Sequence, residues 1–378
     1  RVKTCHPHGL AVLVDVVFNH AGSIDNILWP VARGSFFDGD TGWGAMINFD
    51  HPQCVHFFAQ NLVYLTREFH IDGFRLDHTY TIVHSHEQNW YVRAPGSGGG
   101  WEFLHALRRV VHSQVDSRVM LMAEHLPNEW ALTNFGGPMD TQWCDNFHDR
   151  LIDACKGGQV MSALAEALQV THRESDDWYK ATNYAESHDE VGNVRDRVTY
   201  VAGWKRGFRM SKVAATASIL ARGIPMFFMG AEGGEDAQFT NGATDRLNLD
   251  AYLTDPSRLK VRNWWKEMLG MRRSPVVAGP SPLGVTFAEG QMLAFTRGNG
   301  AEIFVLLNFG GWAGWKSLAE LNLPGGTYCE LWNSTWPAFA IETEDEDEHK
   351  NWGRDARITR SDWLHIPDYG GVVLSKVW

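Results

Sequence analysis

Apolar and polar positions alternate in two different rhythms over the first two thirds of the chain. Short apolar runs typical of buried strands lie at 11–17, 71–77, 118–124, 141–146, 181–187 and 224–230. Helical periodicity fills segments between them, at 51–69, 101–113, 147–170, 205–223 and 257–273. Pro52 suits a first helical turn, and Gly223 suits a helix end. Strands that alternate with helices predict a parallel sheet with helical crossovers.

The pattern changes after Pro275, where short strands alternate with Gly and Pro turns. The strands are GVTFAEG (284–290), QMLAFTRG (291–298), EIFVLLNFGG (302–311), GTYCELWNS (326–334) and GVVLSKVW (371–378). They predict an antiparallel β-sandwich of about 100 residues. We therefore expect two domains, 1–275 and 276–378. The acidic run EDEDEH (344–349) predicts a solvated loop.

Polar side chains collect where the predicted strands end. They are Asp15 to His20, Asp77 and His78, Glu124 and His125, Asp145, and His188 and Asp189. The carboxyl ends of the strands are where a (β/α)₈ barrel carries its active site. A doubly wound sheet also uses that edge, but the GSGGG of 96–100 does not stand between a strand and a helix as a phosphate-binding loop requires.

The segment IDGFRLDH (71–78) places Arg75 and Asp77 on an otherwise apolar strand. Alternate residues of a strand point to the same face of the sheet, so the side chains of Arg75 and Asp77 lie on the same face. A buried ion pair adds little stability, because desolvation offsets the attraction. The pair therefore indicates either a structural strand-end pair or a functional one.

Composition excludes several classes of partner. The net charge of −11 and the absence of a basic patch argue against nucleic-acid binding. The apolar runs are too short to span a bilayer, so no membrane partner is expected. Five cysteines without paired spacing predict neither disulfides nor a zinc site. Seventeen tryptophans are unusually many and include candidate stacking platforms.

Four strand-end motifs occur in one order along the chain: DVVFNH (15–20), GFRLDH (73–78), MAEH (122–125) and ESHDE (186–190). Together they resemble the α-amylase superfamily, glycoside hydrolase family 13, and the resemblance extends over essentially the whole chain. It implies an α-glucan partner (starch, glycogen or maltooligosaccharide). It also implies Asp77 as the nucleophile, Glu124 as the general acid/base and Asp189 as the third carboxylate.

The same resemblance implies supporting roles for neighbouring residues. Arg75 matches the arginine that orients the nucleophile, and Asp15, His20 and His188 match residues that contact the sugar. His78 is a further candidate substrate contact. Rim tryptophans are candidate sugar platforms, with core packing as the alternative: Trp43, Trp90, Trp101, Trp130 and Trp143.

The implied chemistry needs a proton for the leaving oxygen and a carboxylate for an oxocarbenium-like carbon. Arg75 favours the ionised form of Asp77, and a drier surrounding keeps Glu124 protonated. A retaining mechanism predicts carboxyl groups about 5–5.5 Å apart. Asn19 matches a calcium-binding asparagine of many amylases, but six to eight oxygen ligands cannot be assembled here, so we expect no metal or other cofactor.

The fold that the resemblance implies is a (β/α)₈ barrel followed by an antiparallel β-sandwich. The chain supplies six strand–helix units, begins with Arg1 and shows no signal peptide. We therefore expect the first two barrel strands to lie outside this chain. The absence of a disulfide pattern and the resemblance to branching enzymes favour a cytoplasmic location for the protein.

Finer motifs divide between two subfamilies. WGAMINFDHP (43–52) resembles both 1,4-α-glucan branching enzymes and maltooligosyl trehalose trehalohydrolases. Ser187 in ESHDE favours a branching enzyme, whereas MDTQWCDNFH (139–148) and HDEVGN (188–193) favour a trehalohydrolase. Our sequence-based preference is a branching enzyme, with a hydrolase of the same family as the alternative. A non-catalytic glucan-binding relative is the alternative of another class, and the three carboxylates argue against it.

Overall fold

The computed structural model describes residues 2–22, 26, 28, 32, 34–84, 99–169, 178–194, 196–239, 246–341 and 353–377. These residues form two compact units. The first comprises Arg1–Trp143 with Tyr179–Ala181, and the second comprises Cys144–Trp178 with Thr182–Trp378. The predicted boundary at 275/276 stays a prediction.

The first unit is built on short parallel strands with helices between them. Its strands are β1 (Leu13–Val16), β2 (His20–Ala21), β3 (Phe37–Asp40), β4 (Ala45–Ile47), β5 (Gly73–Leu76), β6 (Met120–Ala123) and β7 (Thr141–Trp143). Its helices are α1 (Val2–Cys5), α2 (Pro52–Phe69), α3 (Thr79–Val83) and α4 (Gly99–Gln114), with 3₁₀ turns at His6–His8 and Trp130–Leu132.

Strands β1, β5, β6 and β7 pair in that order, all parallel. The register sets Asp15 beside Arg75 and Arg75 beside Met122, so the carboxyl ends of the three strands are level. The short strands β2, β4 and β3 form a separate antiparallel sheet. This register decides which side chains meet at the strand ends.

Helices α2 and α4 pack against this sheet. Leu62 of α2 and Leu104 of α4 are fully buried in the same core as Phe74 and Leu121 of the strands. Pro52 is the first residue of α2, as the sequence predicts, because a first-turn residue needs no intrahelical N–H partner.

Two glycines permit close packing in this unit. A Cβ at Gly73 would lie 2.7 Å from the Met120 carbonyl oxygen, which the neighbouring strand places there. A Cβ at Gly100 would clash with the Ile82 carbonyl oxygen of α3. The last two glycines of GSGGG, Gly99 and Gly100, begin α4, and Gly100 lets this helix approach α3.

The second unit continues the strand–helix alternation before the β-rich part. Its helices are α5 (Asp145–Cys155), α6 (Met161–Gln169), α7 (Val198–Ala202), α8 (Trp204–Leu220), α9 (Leu249–Thr254) and α10 (Pro256–Arg272). A π-helix occupies Glu190–Val194 and a 3₁₀ turn occupies Ala231–Gly233. A further 3₁₀ turn, Trp178–Lys180, begins in the second unit, and its residues Tyr179 and Lys180 belong to the first. Strand β8 (Ala181–Tyr184) pairs in parallel with β9 (Ile224–Met226) through Thr182 and Ile224.

The C-terminal part of the second unit is antiparallel. Its strands are β10 (Leu283–Glu289), β11 (Met292–Arg297), β12 (Ile303–Asn308), β13 (Gly314–Ser317), β14 (Thr327–Asn333), β15 (Trp363–Ile366) and β16 (Gly371–Val377). Five of them form a sheet in the order β10-β11-β12-β16-β14, and β13 pairs with β15. Leu364 and Ile366 of β15 share one core with Phe304 and Leu374 of the larger sheet, which makes a sandwich.

The predicted succession of a parallel strand–helix part and an antiparallel β part is confirmed. Several details differ, and the short helices α3, α7 and α9 were not predicted. The predicted helix at 147–170 is two helices, because the chain turns at Gly157 and Gly158. Strands β2, β3, β4, β13 and β15 are additional.

The helix expected to end at Gly223 ends at Leu220 instead. The side chains of Arg272 and Arg297 donate to the Ala221 carbonyl oxygen at 2.8 and 2.9 Å, so they replace the intrahelical donors there.

The acidic run at 344–349 lies outside the described residues. Within the part of the chain that the structure describes, no helix has the length and apolarity needed to cross a membrane.

Candidate active site

One arginine gathers three carboxylates at the carboxyl ends of β1, β5 and β6. Arg75 Nη1 lies 2.8 Å from Asp77 Oδ1, and Nη2 lies 2.8 Å from Glu124 Oε2. Its Nε lies 3.8 Å from Asp15 Oδ1. Arg75 and Glu124 are buried, whereas the Asp77 side chain is 26% exposed and that of Asp15 is 62% exposed. Four of the predicted site residues are therefore together.

The parallel ladder fixes these positions. Asp77 and Glu124 each follow the last residue of a strand, and their backbone N–H groups donate to the neighbouring strand. Asp77 donates to the Val16 carbonyl oxygen and Glu124 to the Leu76 carbonyl oxygen, both at 3.0 Å. The two carboxylates thus leave adjacent strands at the same level, where one guanidinium fork reaches both.

Asn19 holds the second oxygen of Asp77. Its Nδ2 donates to Asp77 Oδ2 at 2.8 Å and to the Asp77 carbonyl oxygen at 2.9 Å, and its side chain is completely buried. Its own Oδ1 pairs with His20 Nδ1. The sequence pointed to Asn19 only as a match to a calcium ligand. Asn19 directly precedes His20 in the strand-end motif DVVFNH, and this position could have predicted a contact with Asp77.

Trp143 packs beneath the arginine. The Arg75 Cζ atom lies 4.6 Å from the centre of the Trp143 ring, and the indole Nε1 contacts Met122 Sδ at 3.3 Å. Trp143 is only 5% exposed and Trp101 only 8% exposed, so burial leaves neither ring face available to a sugar. For these two, core packing replaces the platform hypothesis.

Trp43 differs from the buried tryptophans. It is 61% exposed, and its ring centre lies 6.0 Å from that of His20 and 5.2 Å from that of His78. These three candidate substrate contacts therefore form one aromatic group in the first unit. Trp130 is partly exposed in its 3₁₀ turn. Trp90 lies outside the described residues.

The turn after Asp77 connects the two carboxylates through the backbone. His78 adopts a left-handed conformation with φ 41°, which is unusual for a residue with a side chain. Its N–H donates to Glu124 Oε2 at 2.8 Å, and its Nδ1 pairs with Thr81 Oγ1 at 2.7 Å. Oε2 of Glu124 therefore faces both this N–H and Arg75.

The other predicted pair, His188 and Asp189, lies in the second unit. His188 Nε2 is 3.5 Å from Asp189 Oδ2, and both side chains are nearly half exposed. The Asp189 N–H donates to Ser187 Oγ at 3.2 Å, and Asn193 Nδ2 donates to Asp189 Oδ1 at 3.0 Å. The turn therefore holds Asp189 by its backbone and by one carboxylate oxygen.

The described residues contain no group of three or more His, Cys, Asp or Glu side chains arranged to hold a metal ion.

Comparison with known proteins decides the family. Residues 43–270 match the family model for the alpha amylase catalytic domain, and residues 286–377 match that for the alpha amylase C-terminal all-beta domain. The chain belongs to the α-amylase family. The match includes Arg75, Asp77, Glu124 and Asp189, and the family assignment agrees with the resemblance in the sequence.

Curated relatives carry several activities in their names. Malto-oligosyltrehalose trehalohydrolase of Saccharolobus solfataricus is 29% identical over 277 residues, which cover 63% of this chain and 45% of that protein. A glycogen debranching enzyme of Klebsiella pneumoniae is 32% identical over 164 residues, covering 39% of this chain and 23% of that protein. The matched chain thus spans less than half of these relatives.

Solved structures agree on the fold. A pullulanase from Anoxybacillus sp. LM18-11, complexed with maltotetraose, matches with a TM-score of 0.69 at 14% identity. The match covers 100% of this chain and 55% of that one. The α-amylase fold, with its barrel-type parallel strands and C-terminal antiparallel β domain, is therefore confirmed.

Proposed function

We propose that this chain carries the active site of a retaining glycoside hydrolase for α-glucans. Asp77 is the nucleophile, Glu124 the general acid/base and Asp189 the third carboxylate. The observation that carries the proposal is the Arg75 fork, which contacts one oxygen of Asp77 and one of Glu124 at 2.8 Å each. A family fold alone does not provide this chemistry, since catalytic function depends on the site.

The contacts support distinct roles for the two carboxyl groups. Arg75 and Asn19 each hold one oxygen of Asp77, which fixes the direction of its attack on the anomeric carbon. Glu124 gives its proton to the departing glycosidic oxygen as a covalent glycosyl–Asp77 ester forms. Glu124 then takes a proton from water, whose oxygen displaces Asp77 from the sugar.

Hydrolysis is the outcome we favour. The relatives reported above are named as a trehalohydrolase and a debranching enzyme, and the matched pullulanase structure holds maltotetraose. We infer from these names a maltooligosaccharide-type α-glucan as the substrate. Release of trehalose from a maltooligosyl trehalose is the specific reaction to test first.

A branching transferase is the second candidate, and Ser187 favours it. Its hydroxyl accepts the Asp189 N–H at 3.2 Å and also pairs with Glu190, so it shapes the turn that presents Asp189. In a transferase the 6-hydroxyl of a second glucan replaces water in the second step. The choice depends on how well water is excluded at that moment.

Product analysis distinguishes the two reactions. The chain is incubated with long amylose and, separately, with maltooligosyl trehalose; proton NMR follows α-1,6 linkages, and assays follow reducing ends and free trehalose. Rising reducing ends or released trehalose without new branches supports hydrolysis. New α-1,6 linkages with few reducing ends would replace it with branching.

Two variants test the assigned nucleophile. Asp77→Asn is expected to abolish every product, because an amide cannot form the ester. Asp140→Asn is the matched control, since Asp140 also pairs with an arginine, Arg108, at 2.7 Å but belongs to no candidate site. An Asp77→Asn protein as active as the Asp140→Asn protein would refute the proposed function.

A further inference from the structure

A threonine two residues after Asp77 is bonded to the backbone of Glu124. Thr79 is completely buried. Its N–H and its hydroxyl both donate to the Glu124 carbonyl oxygen, each at 2.8 Å. The carbonyl oxygen uses both lone pairs in these bonds, so the backbone at Glu124 is fixed to the start of α3.

The hydroxyl of Thr79 has a second partner, His125, at 3.1 Å from Nδ1. A hydroxyl has one hydrogen, and here it is directed to the Glu124 carbonyl oxygen. Nδ1 of His125 must therefore be the donor in the second bond. His125 is 1% exposed, and its burial lowers its pKa to about 3, so it stays a neutral ring with its proton on Nδ1.

His78 and Thr79, the two residues that directly follow Asp77, thus both hold Glu124. The His78 N–H holds the Glu124 carboxylate, and Thr79 holds the Glu124 carbonyl group. The first residue of the same turn is Asp77. These contacts tie Glu124 to the two residues that directly follow Asp77, in addition to the strand ladder and the Arg75 fork.

We propose that Thr79 is a positioning residue that fixes where Glu124 presents its proton relative to Asp77. His125 orients the Thr79 hydroxyl for this role. The inference rests on the proposed function and deepens it, because the separation of the carboxyl groups governs a retaining reaction. Thr79 itself touches no substrate, so its removal should impair proton donation and leave nucleophilic attack intact.

The test compares substrates that differ in their need for an acid. Maltooligosaccharides need a proton on the leaving oxygen, whereas an α-maltosyl fluoride releases fluoride with little assistance. Thr79→Val keeps the shape of the side chain and removes the hydroxyl. We expect its kcat/KM to fall about 10- to 100-fold on maltooligosaccharides and hardly at all on the fluoride.

Three controls make the result specific. Thr79→Ser restores the hydroxyl and should recover the parent's ratio of the two rates. Thr66→Val removes a hydroxyl that donates to the Leu62 carbonyl oxygen at 2.9 Å within α2, so it should leave that ratio unchanged. Should Thr79→Val fail to fold, His125→Asn, which keeps a donor, and His125→Leu, which removes it, give the same comparison.

The outcomes separate this inference from the proposed function. An equal loss on both substrates, or no loss on either, would overturn the positioning role of Thr79. Asp77→Asn is measured alongside: if it is inactive while Thr79→Val matches the parent, only the positioning role is wrong. If Asp77→Asn keeps the parent's activity, the proposed function and the positioning role are both wrong.

Discussion

Two buried arginines of this protein make opposite kinds of cluster. Arg75 contacts three carboxylates, two of them partly exposed. Arg197 is completely buried and, among the described residues, has Glu186 as its one acidic partner, at 2.6 Å. It donates to the carbonyl oxygens of Met229 and Ala237 as well. The Val198 N–H holds the remaining oxygen of Glu186.

The difference teaches how to separate chemistry from structure. Among the described residues, Arg197 and Glu186 each have one charged partner, and each polar atom of the pair has a hydrogen bond, as in a cluster that only holds a fold together. Among the described residues Arg75 faces three carboxyl groups, so negative charge is in surplus there, and solvent reaches Asp77 and Asp15. Unbalanced negative charge at a solvent-exposed strand end lowers the stability of the fold. We infer that this charge is present because catalysis requires it.

The largest expected effect is on the rate at the Arg75 cluster. Arg75→Lys keeps the positive charge but loses the fork that holds two carboxylates at once. We expect kcat/KM on maltooligosaccharides to fall about 10²- to 10³-fold, by analogy with the loss of one positioned donor. Steady-state kinetics and thermal melts check this prediction. A fall in melting temperature without a fall in rate would show that the Arg75 cluster is structural rather than catalytic.

The next effect is on stability at the Arg197 cluster. Arg197→Met leaves Glu186 buried without its cation, so the free energy of unfolding should drop by about 3–5 kcal/mol. Replacing both residues, Arg197→Met with Glu186→Leu, should recover most of that loss because no charge is stranded. Urea titration followed by circular dichroism measures both. A double variant no more stable than the single one contradicts this structural role.

A smaller effect is expected at Asn19, which belongs to the Arg75 region. Asn19→Ala removes the donor to Asp77 Oδ2 and should lower kcat/KM about 10-fold, the size of one hydrogen bond to a charged group. Asn19→Asp should lower it further, because a second carboxylate would face Asp77. Equal activity of Asn19→Ala and the parent would show that Arg75 alone orients the nucleophile.

The smallest effect is a pH dependence from His125. Burial and the neighbouring His84 and His78 lower its folded pKa to about 3, below its ordinary value of 6.5. The unfolded chain takes up the proton first, so stability is lost as the pH falls below 6.5 towards 3. Linkage gives a loss of about 1 kcal/mol between pH 6.5 and 5.5. Urea titrations at several pH values should show a flatter dependence for His125→Asn, and an unchanged slope would contradict this.

The local sequence was sufficient to predict the strands that carry the site residues. Asp77 and Glu124 directly follow apolar strands, and parallel strands end at one edge, so their meeting was predictable. The bond from Asn19 to Asp77 joins residues 58 positions apart and depends on the register of β1 against β5. Periodicity within either strand says nothing about that register.

Burial was the harder property to predict. Trp143 and Trp43 look alike in sequence, yet one packs under Arg75 and the other is 61% exposed. The difference arises from which neighbour covers the ring, which is a tertiary property. The strand at Gly314–Ser317 was missed for a similar reason, since its partner at Trp363–Ile366 is far along the chain.

The most direct measurement is to trap the covalent intermediate. A 5-fluoro-α-glycosyl fluoride slows the second step of a retaining enzyme, so the protein can be digested and its peptides weighed by mass spectrometry. The account predicts a single added sugar on the peptide that contains Asp77, and none in the Arg75→Lys protein at equal times. A sugar on Asp15 or Asp189, or on no carboxylate while the substrate is turned over, would contradict it.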